Sequence, residues 1–302
     1  MESKLKVRYV ERRAASSMAK ETPGSELSLP LEARLIAAVR GRELHVHFQP
    51  QYEVECGEGS GVEALARWTA RDGEEISPTV FIPMAERIAL ICSLGAWVLG
   101  DACETVARWG SWGGREPTLS VNVSTHQINE RFADVIHRAL KSTGLPPAQL
   151  ELEITESALI GDAELAIACC EEWRALGVRI AVDDFGTGYS SLSYLARLPV
   201  DRLKLDKSFA QRMTFEKKTA AIVRSVLALG KEMGVGVLVE GVETEQQFAL
   251  LERMGCQQVQ GYLLAKPVPA VEARALLMIP WGTRLASISR PKHAIARGLH
   301  AA

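Results

Sequence analysis

Arg179 to Leu195 reads RIAVDDFGTGYSSLSYL. Ile180, Ala181 and Val182 form a short apolar run, the pattern of a strand buried on both faces, and Asp183 and Asp184 fall where such a strand ends. Side chains alternate across a strand, so Asp183 is expected to point to the barrel axis and Asp184 to reach the same rim from the first loop position. Two adjacent anions repel each other, and one or two divalent cations would offset that repulsion. Gly186 and Gly188 allow a tight loop, and Ser190 or Ser191 can cap the helix after it. An ordinary strand-loop-helix turn with Asp caps would carry the same letters, so the rest of the chain decides between the two readings.

Outward from this stretch, short apolar runs alternate with helical patterns. A helix over Leu31 to Val39, ended by Gly41, precedes extended runs at His45–Tyr52 and Gly61–Trp68, joined by a Gly-rich hairpin loop. Two helices are expected between Pro78 and Trp109, with Pro83 near the first start and Gly95 and Gly110 at their ends. Further strands are expected at Leu119–Val123, Leu150–Ile154, Arg179–Asp183, Arg202–Leu205, Val235–Glu240 and Gln258–Gln260. Helices separate them, the longest over about Phe215 to Met233. Such alternation implies a parallel sheet, and eight strands suit a closed barrel better than an open sheet. The fold class is therefore α/β, a TIM-like (β/α)8 barrel over residues 29–278. A polar N-terminal tail (1–28) and a basic C-terminal tail (279–302) flank it.

Polar residues recur at one end of these strands: Glu63, Asn122, Glu153, Asp183, Lys204, Glu240 and Gln260. A lone charge in a buried strand costs several kcal/mol, of order 3, unless paired, so any single one is explicable as structure. All of them at one rim are not, because the carboxyl-end rim of a barrel is where active sites are built. A carboxylate- and amide-rich set without His or Cys suits hard cations such as Mg²⁺ or Mn²⁺ better than zinc.

Composition limits the alternatives. With 302 residues, 47% of them apolar, the chain can bury one large core, and a net charge of −2 argues against DNA or RNA as a partner. The six cysteines form no CxxC pair, which suits reduced, mostly buried thiols. No apolar run is long enough to span a bilayer and no signal-peptide core opens the chain, so a cytoplasmic location is expected.

On these residues the chain resembles the EAL domain, the bacterial phosphodiesterase family specific for cyclic di-GMP. The resemblance rests on FQP (Phe48–Pro50), GVEALARW (Gly61–Trp68), FIPMAE (Phe81–Glu86) and VNVS (Val121–Ser124). It continues in ELEITES (Glu151–Ser157), DDFGTGYSSL (Asp183–Leu192), LKLD (Leu203–Asp206), VEGVET (Val239–Thr244) and QGYLLAKP (Gln260–Pro267). The departures are small: Gln51 replaces the usual aliphatic residue after the QP pair, Phe48 a common tyrosine, and Val239 a frequent alanine.

The resemblance implies an EAL-type barrel with one irregular or antiparallel strand, and a role for each matched position. Glu63, Asn122, Glu153 and Asp183 correspond to ligands of a first Mg²⁺ or Mn²⁺. Asp183 can bridge to a second ion held by Asp184 and assisted by Glu240. Lys204 and Gln260 correspond to residues that hold the attacking water and the phosphate region. Gln49, Leu65, Arg67 and Asp206 match dinucleotide contacts. Glu156 with Phe185, Gly186, Thr187, Gly188, Tyr189, Ser190 and Ser191 matches the segment that couples metal binding to a homodimer interface, and Glu243 supports the site. The expected reaction is in-line attack of water on one phosphodiester, opening cyclic di-GMP to linear pGpG. Glu240 would bind the second ion directly or through water, and would accept a proton. The rival readings are a catalytically weak cyclic di-GMP receptor acting through a partner protein, and a hydrolase of another phosphate ester on the same scaffold.

Overall fold

The computed structural model describes residues 30–41, 43–110, 116–158, 162–188 and 195–283. The chain divides into two compact units, Met1–His45 with Arg67–Leu94 and Val46–Ala66 with Gly95–Ala302. The N-terminal segment 1–28, residues 284–302, and Tyr189, Ser190 and Ser191 lie outside the described residues.

The first unit holds α1 (Leu31–Gly41), the start of β1 (Leu44–Glu53), the end of β2 (Gly59–Thr69), β3 (Glu75–Ile76), α2 (Pro78–Arg87) and the first turn of α3 (Ile91–Ala107). β3 pairs antiparallel with the end of β2, Trp68 opposite Ile76. Trp68 is buried edge-on against Phe81, its ring centroid 6.0 Å away, and donates its indole N–H to Glu43 Oε2 at 3.3 Å. Ser77 caps α2 by accepting from the Thr79 N–H, and Pro78 occupies the first turn, where its missing N–H costs nothing. Pro83, expected near the helix start, stands inside α2. The bond it cannot make is to the Thr79 carbonyl, on an exposed part of the helix that water can serve.

The second unit is organised by a closed ring. From β1 the order runs through β9 (Gln258–Val259), β8 (Gly236–Val239), β7 (Arg202–Leu205), β6 (Arg179–Phe185), β5 (Leu150–Thr155) and β4 (Thr118–Val123) to β2, which pairs with β1. Every pairing from β2–β4 to β8–β9 is parallel, whereas β9 meets β1 antiparallel, so β1 is the reversed strand. The eight expected strands are the eight of the ring, and β3 is an extra strand outside it. β4 and β5 share five registered pairs, from Leu119–Leu150 to Val123–Ile154. β9 shares only two with each neighbour.

Period-2 alternation explains how buried strands carry charges. Leu152, Ile154, Leu203 and Leu205 are fully buried on one face of β5 and β7, while Glu151, Glu153, Arg202 and Lys204 occupy the other. Helices cover the outer face: α4 (Phe132–Thr143) buries Phe132, Ile136 and Leu140 at helical spacing and stops at Gly144, φ 74°. α5 (Ala163–Ala175), capped by Asp162, buries Trp173 edge-on to Phe132 at 5.4 Å. α6 (Lys207–Arg212), α7 (Lys217–Met233), α8 (Glu245–Arg253) and α9 (Ala270–Leu277) complete the described α-helices. The long helix expected from Phe215 begins two residues later, at Lys217.

Two further expectations are corrected. Gly95 does not end a helix but lies inside α3, where the end of the Gln127 side chain packs against it, 2.4 Å from where a Cβ would stand. Part of the segment assigned to the basic tail is held in place. The Trp281 ring packs 4.3 Å from the Phe248 ring, and the Trp281 backbone N–H donates to the Gly57 carbonyl at 2.9 Å. Cys103, Cys169, Cys170 and Cys256 are buried, and burial pushes the thiols of Cys103, Cys170 and Cys256 up to about 12.

Candidate active site

Parallel register brings the polar strand positions to one mouth of the ring, with Asn122 beside Glu153 and Thr155 beside Asp183. Lys204 stands at the centre with no exposed side-chain surface. Its Nζ lies 2.7 Å from Glu153 Oε2, 2.7 Å from Glu240 Oε1, 3.2 Å from Asp183 Oδ1 and 3.5 Å from Glu63 Oε2. Glu63 is fixed from two further sides: Asn122 Nδ2 donates to Oε1 and Gln260 Nε2 to Oε2, both at 2.7 Å. Gln260 Nε2 also donates to Gln49 Oε1 at 3.0 Å, and Gln49 Nε2 to the Ala265 carbonyl at 3.1 Å. Glu63 sits in mid-strand rather than at a strand end, because β2 continues to Thr69 to pair with β3.

Four carboxylates around one ammonium cannot all be ionised at ordinary cost. Burial, then repulsion from Glu63 and Asp183, holds the Glu153 carboxyl well above the usual range despite Lys204. Burial likewise lifts Glu240, to about 8, against the pull of Lys204 and with Asp183 and Glu63 adding to the rise. Burial works the same way on Glu63, but Lys204 and the donors Gln260 and Asn122 outweigh it and leave that carboxyl below its ordinary value. Burial lowers the Lys204 ammonium less than the four carboxylates raise it, so it stays protonated.

The two aspartates differ from expectation in backbone. Asp184 lies within β6, at a bulge where the β6–β7 register shifts between Val182 and Phe185, with φ 54°. The extra residue leaves Asp183 buried and Asp184 exposed, so the pair does not enter the mouth as equals. Partial burial, Asp183 and Asp206 together raise the Asp184 carboxyl. Downstream, Glu156 Oε2 accepts from the Gly186 N–H at 2.8 Å and weakly from the Gly188 N–H at 3.5 Å. Gly186 has φ 92°, and a Cβ there would meet the Phe209 ring at 2.7 Å. Thr187 donates its hydroxyl to the Asp184 carbonyl at 2.8 Å. Asp206 caps α6 through the Ser208 N–H, Glu243 is exposed beside the α8 capping box, and Leu65 is half-buried on β2 two residues after Glu63. Arg67 belongs to the first unit.

A second polar layer lies two residues toward the start of the parallel strands, and of its members the sequence reading had noted Gln51 alone. Arg202 Nη1 pairs with Glu151 Oε1 at 3.0 Å and donates to Gln51 Oε1 at 3.2 Å; Ser120 Oγ donates to Glu151 Oε1 at 2.8 Å. Spacing was the available signal, since Glu151 precedes Glu153, and Arg202 precedes Lys204, by two. A cavity of about 790 Å³, lined by Glu53, Glu151, Arg179, Arg202, Cys256 and Gln258 among others, opens at this amino end.

The donor set fits hard cations. All its ligating atoms are carboxylate or amide oxygens in excess over the one ammonium, and Glu153 Oε1 is buried without a hydrogen-bond partner. Asp183 Oδ1 likewise makes no hydrogen bond, although it is within ion-pair distance of Lys204. As the side chains stand, the ammonium holds the centre. No group of three or more His, Cys, Asp or Glu side chains among the described residues is set to hold an ion.

Known proteins agree with this architecture. A family model described as the EAL domain matches residues 32–267. The chain is 41% identical over 239 residues to the bifunctional diguanylate cyclase/cyclic di-GMP phosphodiesterase MucR of Pseudomonas aeruginosa, covering 79% of this chain and 35% of that protein. It is 38% identical over 242 residues to the cyclic di-GMP phosphodiesterase NbdA of the same organism, covering 80% and 31%. A solved structure of the PaMucR phosphodiesterase in complex with c-di-GMP superposes with TM-score 0.75 at 40% identity, over 79% of this chain and 99% of that one. The chain thus spans about a third of the length of these two curated relatives.

Proposed function

Because the chain belongs to the EAL domain family, we propose that it hydrolyses cyclic di-GMP to linear pGpG with the help of Mg²⁺ or Mn²⁺. The observation that carries this reading is Lys204 Nζ within 3.5 Å of four carboxylates at one mouth of the ring. Glu63, Asn122, Glu153 and Asp183 would hold a first ion, and Asp184 and Glu240 would complete a second site with Asp183. Bound there, such ions supply Lewis acidity at the phosphoryl oxygens and make water a nucleophile near neutral pH.

The chain's own groups do the rest. A water oxygen forms a bond to one phosphorus while the bond from phosphorus to the 3′ oxygen breaks, leaving a 5′ phosphate and a 3′ hydroxyl. Lys204, kept charged by its neighbours, offsets the growing negative charge on the phosphoryl group. Glu240, whose Oε1 lies 2.7 Å from Lys204 Nζ at the mouth, would take the proton of the attacking water once bound ions hold it deprotonated. Gln260 orients Glu63, while Gln49, Leu65, Arg67 and Asp206 are proposed to contact the dinucleotide, and Glu243 to support the site. Cytoplasmic location and a homodimer coupled through Glu156 and the loop from Phe185 belong to the same proposal. No described helix is long and apolar enough to cross a membrane.

The rival reading is a receptor that binds cyclic di-GMP without cleaving it. Purified protein incubated with cyclic di-GMP and Mg²⁺ or Mn²⁺, and read by chromatography, separates the two. Conversion to pGpG that Glu63→Ala abolishes supports hydrolysis; binding without product supports the receptor.

A further inference from the structure

Gln51 lies at 0% exposure between the two polar layers, and its hydrogen bonds have a polarity that its neighbours dictate. A guanidinium can only donate, so Arg202 Nη1, 3.2 Å away, requires the Gln51 carbonyl oxygen to face it. The Gln51 amide nitrogen must then face the other way, and it does: Nε2 donates to Gln260 Oε1 at 3.1 Å. Ser120 Oγ adds a second constraint. Its proton is committed to Glu151 at 2.8 Å, leaving its lone pairs to accept from Gln51 Nε2 at 3.5 Å. With the Gln260 oxygen turned toward Gln51, its nitrogen is turned toward Glu63 Oε2 and Gln49 Oε1. The row ends on groups that can only accept, the Glu63 carboxylate and the Ala265 carbonyl, so no amide in it can be reversed without opposing two like atoms.

From this geometry we infer that Gln51 is a positioning residue of the active site: anchored by the Arg202–Glu151 pair, it fixes the direction of the Gln260 amide and through it the Glu63 carboxylate. The inference rests on the proposed hydrolysis only for its kinetic readout. An aliphatic side chain at position 51 would fill space without setting that direction. A glutamate there would pair with Arg202 but could not donate, and would turn the Gln260 nitrogen inward, putting its oxygen against Glu63.

The test compares Gln51→Leu and Gln51→Glu with the unaltered chain by three measurements. These are kcat and KM for cyclic di-GMP, Mn²⁺ affinity by paramagnetic resonance, and the side-chain ¹⁵NH₂ resonances of Gln260. Gln51→Glu is expected to lower kcat about tenfold or more, the equivalent of one lost and one opposed hydrogen bond, with KM less affected; Gln51→Leu is expected to lower it only a few-fold. Mn²⁺ affinity should fall in the same order, and the Gln260 amide resonances should move in both variants. A space-filling role predicts the reverse order, because glutamate is the closer match in shape. Gln51→Glu within twofold of the unaltered chain, or Gln51→Leu the worse of the two, overturns the inference. If Gln51→Glu does not fold, unmoved Gln260 resonances in Gln51→Leu overturn it just as well. If the unaltered chain shows no turnover, the hydrolytic reading fails alone, and the Mn²⁺ and resonance measurements still decide the role of Gln51.

Discussion

Lys204 Nζ and Glu153 Oε2 face each other at 2.7 Å, and neither side chain has any exposed surface. The pair forms the floor of the mouth, and the other carboxylates depend on the same ammonium.

Replacing Lys204 with Met is therefore expected to destabilise the metal-free protein by about 3–5 kcal/mol, the cost of leaving a buried charge without its partner. Chemical denaturation in the presence of a chelator measures this. Under the proposed mechanism turnover should also fall at least a hundredfold, since the developing phosphoryl charge loses its cation. Denaturation midpoints equal to those of the unaltered chain would show that Lys204 does not hold the carboxylates together.

Metal-free protein should lose stability as pH rises. Glu240 titrates near 8 in the folded chain, against an ordinary 4.5, and Glu153 is raised as well. Groups raised on folding give their full contribution below the unfolded value and lose it through the folded one, so the fall should occupy the window from about 4.5 to 8. Added Mn²⁺ needs the deprotonated carboxylates and should stabilise more at pH 8 than at pH 6. Melting curves at both values, with and without the ion, check the direction; a flat profile without metal would contradict it.

Gly186→Ala should cost about 1–3 kcal/mol, because alanine at φ 92° is strained and its Cβ would meet the Phe209 ring. If the segment from Phe185 couples the site to a dimer, the variant should also change the sedimentation profile at concentrations where the unaltered chain is a dimer.

Trp281→Ala should lower stability by about 1–2 kcal/mol, since the half-buried ring leaves Phe248 and uncovers Gly57. Truncation after Met278 should have the same effect, and unchanged melting of both proteins would place the boundary of the fold at 278 after all.

The strands of the ring could be read from sequence because a strand buried on both faces must be apolar apart from the residues it aims inward. Those exceptions, Glu63, Glu153, Asp183 and Lys204, were conspicuous for the same reason. β3 left no trace, since two residues carry no period. Pro83 misled because a proline inside a helix is harmless where the orphaned carbonyl meets water, and exposure is not written in the local sequence. Asp184 was placed in a loop because a bulge looks like a strand end until the neighbouring register is known. The direction of Gln51 was not legible at all, since it depends on Arg202, 151 residues away, and Gln260, 209 residues away.

The ring is unevenly stitched. β9 has two registered pairs on each side against the five between β4 and β5, and Gln260 follows it directly. Thermal breathing should part the barrel first at this seam, so amide protons of Gln258 and Val259 should exchange ahead of those of Leu152 and Val121. The amide that orients Glu63 thus hangs from the arc most able to yield, and a solute that tightened the seam would sharpen the mouth without touching it.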